Sequence, residues 1–312
     1  MKRNLRFLLF SLGMLSILSS CSQADRGKSD SSDSLKGKTS KDGILVGEMS
    51  VIIDEAILPI MKQQVEVFKS SYKDGSIKLV ALPEREAINA LIQGKASMAV
   101  LGRLLTKDEN AGFTQRNITP REFPVFHDGV VFVNNIASAD TSINKNALSS
   151  LLKGETVGKK LLLDNINSST VRRIKEFAGV DKISSQSVKA MKNADELLKQ
   201  LESDQSSIGV LSYGQFLEYR EKFGVENKIR ILSLQSLDEK GVLAYFKPSQ
   251  TTFATNEYGI KTTFNVLNYQ PNMGLGIGFS AFLTGDRGQR VVLKSGLLPA
   301  TMPGREIIIR DN

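Results

Sequence analysis

The sequence predicts an α/β fold organised around parallel strands. Runs such as Ser97-Met98-Ala99-Val100-Leu101 and Ile208-Gly209-Val210-Leu211 are continuously apolar, without the in–out alternation of a strand wetted on one face. Between such runs lie segments whose apolar residues recur at helical spacing. Strands buried on both faces, alternating with helices, describe a parallel-rich sheet covered on both sides. At 312 residues, 41% of them hydrophobic, the chain can bury one large core or two of middling size.

Taken in order, folding is expected to begin at Gly43. Ile44-Leu45-Val46-Gly47 reads as a short buried strand and Glu48-Met49-Ser50 as the loop after it. Ile57, Ile60, Met61, Val65 and Phe68 then follow a helical period across residues 54–72. Ile77-Lys78-Leu79-Val80-Ala81 is a second strand, and Pro83 opens a helix that runs to Ile92, with Gly94 as its stop. The third strand ends at Leu101, before Gly102-Arg103. Ligands of such sheets sit beyond the carboxyl ends of the strands. The loops at Met49-Ser50, at residues 83–86 and at Gly102-Arg103 are therefore predicted to face one crevice.

Residues 128–135 form another strand, and residues 145–152 a helix closed by Lys153-Gly154. The most informative stretch follows. Leu161-Leu162-Leu163 ends a strand, Asp164-Asn165-Ile166-Asn167 makes a polar loop, and Val171, Ile174 and Phe177 set a helical period. Asn167, Ser168, Ser169 and Thr170, all capping types, stand at the start of that helix. Unpaired N–H groups, the positive end of the helix dipole and small hydroxyls together suit an oxyanion, although an ordinary capped helix has the same appearance. Further on come a charged helix over residues 195–202, strands at 208–212 and 229–232, and a final capped helix ending at Gly296.

The N-terminus differs in kind. Lys2, Arg3 and Arg6 precede an apolar run over residues 7–18, too short to span a bilayer, so residues 1–20 read as a signal peptide. Leu18-Ser19-Ser20-Cys21 resembles the bacterial lipobox, which implies cleavage before Cys21 and lipidation of that residue. Cys21 is the only cysteine and has no disulfide partner. Residues 22–42 are polar and make a flexible tether.

Composition narrows the function. The formal net charge is +8, and losing the leader leaves a mildly basic chain. No basic run interleaved with aromatics points to nucleic acid. His127 is the only histidine and has no evident serine partner, which argues against a hydrolase using Ser168 or Ser212. No metal-ligand spacing is present and no cofactor is expected.

The order of pieces resembles the substrate-binding lipoproteins of phosphate-type ABC transporters. Leu148-Ser149-Ser150-Leu151-Leu152-Lys153-Gly154-Glu155 is similar to the family's entry to its second lobe. Ser168-Ser169-Thr170 stands where the family has Ser-Gly-Thr, and Ile208-Gly209-Val210-Leu211-Ser212-Tyr213 resembles its Ile-Gly-Tyr-Val-Ser-Tyr strand. The stretch from Gly288-Gln289-Arg290 to Leu298-Pro299 resembles its C-terminal helix and Leu-Pro finish.

The resemblance implies a type II-like, two-lobe periplasmic binding protein fold with parallel-rich mixed sheets and a two-stranded hinge. Residues 43–134 and 255–312 would make lobe I and residues 135–254 lobe II, with hinge strands at 130–135 and 261–267. It implies capture of phosphate or a related oxyanion by hinge closure, for an ABC importer's permease. The protein would be a monomer, lipid-anchored to the cell or outer membrane and facing the periplasm. The ligand residues it suggests are Met49, Ser50, Arg103, Ser168, Ser169 and Thr170, with Asp164 beside them.

The sequence also departs from the family. Its Gly-Ser-Gly loop is replaced by Pro83-Glu84-Arg85-Glu86, and its Ser-Asp by Leu101-Gly102 with Arg103 next. Its arginine four residues before the Ser-Gly-Thr falls on Asp164. Arg103 is the expected replacement cation, since a guanidinium grips oxyanions bidentately. Asp164 is expected either to accept a phosphate proton or to pair with Arg103 or Arg85. These departures keep open an adaptor or sensor lipoprotein of the same fold with an altered site.

Overall fold

The computed structural model describes residues 43–304. The leader, Cys21 and the tether lie outside the described residues. In chain order the elements are β1 (Gly47–Asp54), a 3₁₀ turn (Glu55–Ile57), α1 (Leu58–Ser71), β2 (Gly75–Leu82), α2 (Glu84–Ile92), β3 (Met98–Leu101) and α3 (Lys107–Gln115). Next come β4 (Arg121–Asn135), β5 (Ser142–Ile143), α4 (Lys145–Lys153), β6 (Lys160–Leu163), α5 (Ser169–Ala178), β7 (Val188–Ala190) and α6 (Ala194–Leu201). β8 (Ser207–Ser212), α7 (Tyr213–Phe223), a second 3₁₀ turn (Gly224–Glu226), β9 (Ile229–Ile231), β10 (Ser233–Leu237) and β11 (Leu243–Phe246) follow. The chain closes with α8 (Gln250–Ala254), β12 (Lys261–Asn268), α9 (Leu275–Thr284), α10 (Asp286–Lys294) and β13 (Leu298–Pro299).

Two parallel trios carry the sheet. β2, β1 and β3 form one, with β1 central, and β8, β6 and β7 form the other, with β6 central. Antiparallel strands join them, in the order β2-β1-β3-β12-β4-β8-β6-β7. β4 is the splice. Its residues 121–129 pair with β12, and Val130 to Val133 pair with β8. A second crossing lies at Ile260, whose carbonyl accepts from the Val130 amide at 3.0 Å. A smaller antiparallel and parallel set, β11-β10-β5, stands apart.

The apolar core divides at the same two places. One cluster contains Val130, Phe132, Leu163, Ile174 and Val210 and takes in Phe253, Tyr258 and Ile260. The rest of the core groups Val51, Phe68, Val100, Phe126, Phe264 and Phe279, with Ile52, Leu91, Leu101 and Leu267 alongside. Val130 to Val133, Tyr258 and Ile260 thus pack with the second half of the molecule, whereas the resemblance implies lobe I for them. The reason is that β4 is one unbroken strand serving both cores, so composition does not mark the changeover.

β1 also begins and ends later than expected. Leu45 packs against the core that holds Val51 and Phe68, yet the ladder with β2 runs from Gly47 to Asp54. Val51, Ile52 and Ile53, at most 1% exposed, are its buried centre. α3 was not anticipated, because its surface is charged and only Phe113 is buried.

The crossing itself is tightly packed. A Cβ on Gly129 would stand 2.6 Å from the Phe253 ring. Gly129→Ala is therefore expected to destabilise the protein by about 1–3 kcal/mol, read as a lowered urea midpoint. Gly112→Ala, on open α3 surface, is the control and is expected to be neutral or slightly stabilising.

Candidate functional site

The site is built where the carboxyl ends of the two trios meet. β6 delivers Asp164, and Ser168 caps α5 by accepting from the Val171 amide at 3.3 Å. Ser168, Ser169 and Thr170 are all at most 3% exposed. Their acceptor is on the same chain segment. Asp164 Oδ1 receives the Ser168 and Thr170 hydroxyls, each at 2.7 Å, and the Asn165 amide at 2.9 Å. Among the described residues no hydrogen-bond partner reaches its buried Oδ2.

From the other half come the loops after β1, β2 and β3. Asp54, fully buried, accepts from the Ala56 amide at 3.0 Å and starts the 3₁₀ turn. Direct bonds then cross between the halves. Ser212 Oγ donates to the Ala56 carbonyl at 2.8 Å, and Asn167 Nδ2 to Glu86 Oε1 at 2.7 Å. The Arg85 amide donates to the Asn167 carbonyl at 3.3 Å. Arg172 on α5 grips Glu84 on α2 with both arms, Nε to Oε1 at 2.6 Å and Nη2 to Oε2 at 2.8 Å. Glu84 is 4% exposed, so this bidentate pair is a largely desolvated latch.

Acidic groups outnumber cations along this junction. Burial pushes Asp54 up to about 7, with the charges of Glu84 and Asp164 adding to the rise; the neighbouring Ser169 hydroxyl and the Ala56 amide oppose it. No hydrogen bond of good geometry reaches Asp54 Oδ2. Glu55 is pushed up to about 8 by burial and by Asp164, Asp54 and Glu86. Burial takes Asp164 to about 6 against its three donors, and Asp128 to about 7. The space between Ala56, Asp128, Ser169, Thr170, Ser212 and Thr262 is about 10 Å³, room for about one water and not for a tetrahedral anion. A wider groove of about 660 Å³ runs along α2 and α5, past Arg85, Arg103, Asn167 and Lys175.

The expected site residues separate into two sets. Ser168, Ser169, Thr170 and Asp164 are together at the junction. Met49 and Ser50 are not: they lie inside β1, opposite Ile77 and Lys78, and the loop at its carboxyl end is Asp54-Glu55-Ala56. Arg103 is not a free fork either. Its two Nη atoms hold Glu109 at 2.7 and 2.8 Å, because Thr106 and Glu109 cap the unanticipated α3 there. Arg103 Nε remains 3.9 Å from Glu84. Asp164 pairs with hydroxyls rather than with Arg103 or Arg85. Asp54, Glu55 and Arg172 were overlooked; the buried run Val51-Ile52-Ile53 ending in Asp54 was the available signal for the first two. His127 bonds Thr263 at 2.9 Å and serves the sheet.

Two α/β halves, each with its own core, joined by crossing strands and meeting on strand-end loops, define a binding protein of the periplasmic type. The profile of the PBP superfamily domain matches residues 45–287, and the chain belongs to that superfamily of extracytoplasmic, non-enzymatic binding proteins. Its fold is similar to that of a Clostridium perfringens protein assigned to phosphate ABC transport and solved with bound phosphate. That likeness has a TM-score of 0.66 at 15% identity, over 82% of this chain and 100% of the other. An ABC-type phosphate transport receptor from Vibrio cholerae matches with a TM-score of 0.60 at 17% identity, over 80% and 99% of the two chains. A Synechocystis regulatory domain in complex with 2-PG also shares the fold, with a TM-score of 0.52 at 13% identity, over 76% and 95%. None of the curated proteins matches the chain in sequence. Among the described residues no helix is long and apolar enough to cross a membrane.

Two outcomes follow from the junction. Arg172→Leu removes the bidentate partner of buried Glu84 and leaves it only Arg103 Nε at 3.9 Å; it is expected to cost about 3 kcal/mol and to separate the halves, read as a larger radius of gyration in solution scattering. The raised carboxyls set a pH dependence. Folded Asp54, Glu55, Asp128 and Asp164 keep protons that the unfolded chain releases near pH 4, so their stabilising contribution is full below that pH and is lost as pH rises through about 6 to 8. The urea midpoint is expected to fall between pH 5 and pH 8, by on the order of 2 kcal/mol in stability, and Asp54→Asn to flatten that fall.

Proposed function

We propose that this chain is a solute-binding protein, carried on a membrane by a lipid on Cys21, that captures phosphate or a related oxyanion by closing its lobes and presents it to the permease of an ABC importer. The observation that carries this reading is the N-terminus of α5. Ser168, Ser169 and Thr170 are buried there, at the junction of the two halves, with the helix dipole directed at the same point. Hydroxyls and backbone N–H groups replace an anion's water shell without adding a full positive charge, and lobe closure excludes the competing water. The fold shared with phosphate receptors supports the same reading.

The carboxylates attach a condition. Asp164 already holds two of the three hydroxyls, with the buried Asp54 close by, so an oxyanion must displace Asp164. That observation favours a second reading, an adaptor or sensor lipoprotein whose lobes close without an anion. Calorimetric titration of the mature protein, stripped of bound anion, separates the two. Micromolar or tighter phosphate binding is expected of an importer's receptor. No heat and no thermal shift with phosphate or sulfate would leave the adaptor reading standing alone.

A further inference from the structure

We propose that Asp164 and the buried Asp54 beside it set which solutes this cleft accepts: Asp164 is a resident ligand of the α5 hydroxyl cluster, and an oxyanion enters only in exchange with it. The inference rests on the oxyanion reading above and adds the gate. An oxyanion site consists of convergent donors in a dry pocket, and here the donors are present and already answered. Three of them, the Ser168 hydroxyl, the Thr170 hydroxyl and the Asn165 amide, converge on one oxygen of Asp164 within 2.9 Å. Asp54, on the opposite half, lies beside Ser169 and adds a second fully buried carboxylate.

The two carboxylates are poorly settled, as residents open to exchange should be. Each is at most 1% exposed, and each has an Oδ2 with no hydrogen-bond partner. The groups facing them are mostly acidic. Glu84 on α2 and Asp164 face Asp54, while Glu55 on the 3₁₀ turn faces Asp164, Asp54 and Glu86. Arg172 on α5 is taken by Glu84 and Glu176. Asp128 on β4 borders the same small space, answered by the amides of Gly129 and Gly214. An arriving dianion therefore meets like charge at the point where its donors are. Removing that charge, by substitution or by protonation, lifts the repulsion, so that only the parting of the halves around this small space stands between an oxyanion and the donors.

Sulfate is the decisive probe, because its charge does not change between pH 5.5 and pH 8; phosphate is titrated beside it. Asp164→Ala removes the oxygen on which three donors converge, leaving Ser168 the Asn165 carbonyl at 2.8 Å, and Asp54→Ala removes the second buried carboxylate. Each variant is expected to bind sulfate at pH 8 about tenfold or more tighter than the wild type, seen by calorimetry and as a saturable thermal shift. The wild type is expected to gain a comparable factor between pH 8 and pH 5.5, and the substitutions to flatten that gain. Should the alanine variants fail to fold, the wild-type pair of pH values decides alone, and equal sulfate affinity at both overturns the proposal. Wild-type anion binding that neither substitution nor pH alters overturns the gate and leaves the oxyanion reading intact. No binding of sulfate or phosphate by any of the three proteins at either pH overturns both.

Discussion

A carboxylate held in a dry junction must be answered by donors, by a cation or by a proton. Six of them, Asp54, Glu55, Glu84, Glu86, Asp128 and Asp164, share the junction between the halves of this protein. Glu84 receives the full grip of Arg172, and Asp164 concentrates its donors on one oxygen. For Asp54 and Glu55 donors are scarce, and protons make up the difference. How the halves meet, how stability responds to pH and which solutes gain entry all descend from this shortage.

The scaffold fixes that meeting geometrically. Each parallel trio points its carboxyl ends at the other, so every functional loop sits on a strand end rather than on a long flexible excursion. Behind the loops, edge-on contacts of Phe68 with Phe279 and Phe282, at 5.1 and 5.3 Å, lock α1 to α9 and hold the strand that presents Asp54. Rigid presentation makes the crowding of like charges tolerable; a mobile loop would swing its carboxylate into water.

Much of this was legible in the residues. The alternation of apolar runs with helical periods gave the α/β class, Gly154 stopped α4 in the left-handed conformation, and Ser168 capped α5 as its type suggests. The β1 loop was misplaced because two apolar runs, one around Leu45 and one around Ile52, compete for the role of strand, and only pairing with β2 decides between them. Arg103 was misassigned for want of α3, although Thr106 and Glu109 carry the spacing of a capping box. Arg172 and Glu84 lie 88 residues apart on two different helices, and no local pattern announces that they meet.

The splice made by β4 bears on how the chain comes together. Its first part is flanked by β12 and β13, both from the far end of the chain, with Ala300 donating to the Val125 carbonyl at 3.1 Å and Gln289 to the same carbonyl at 2.9 Å. Its second part pairs with β8 and β9, and at Val130 with Ile260, all of which precede β12 in the chain. A chain emerging N-terminus first can therefore complete its second half while the first still waits for partners. The half that begins the polypeptide is the last to be finished, and a truncation of the C-terminal strands strikes the fold at its opening residues.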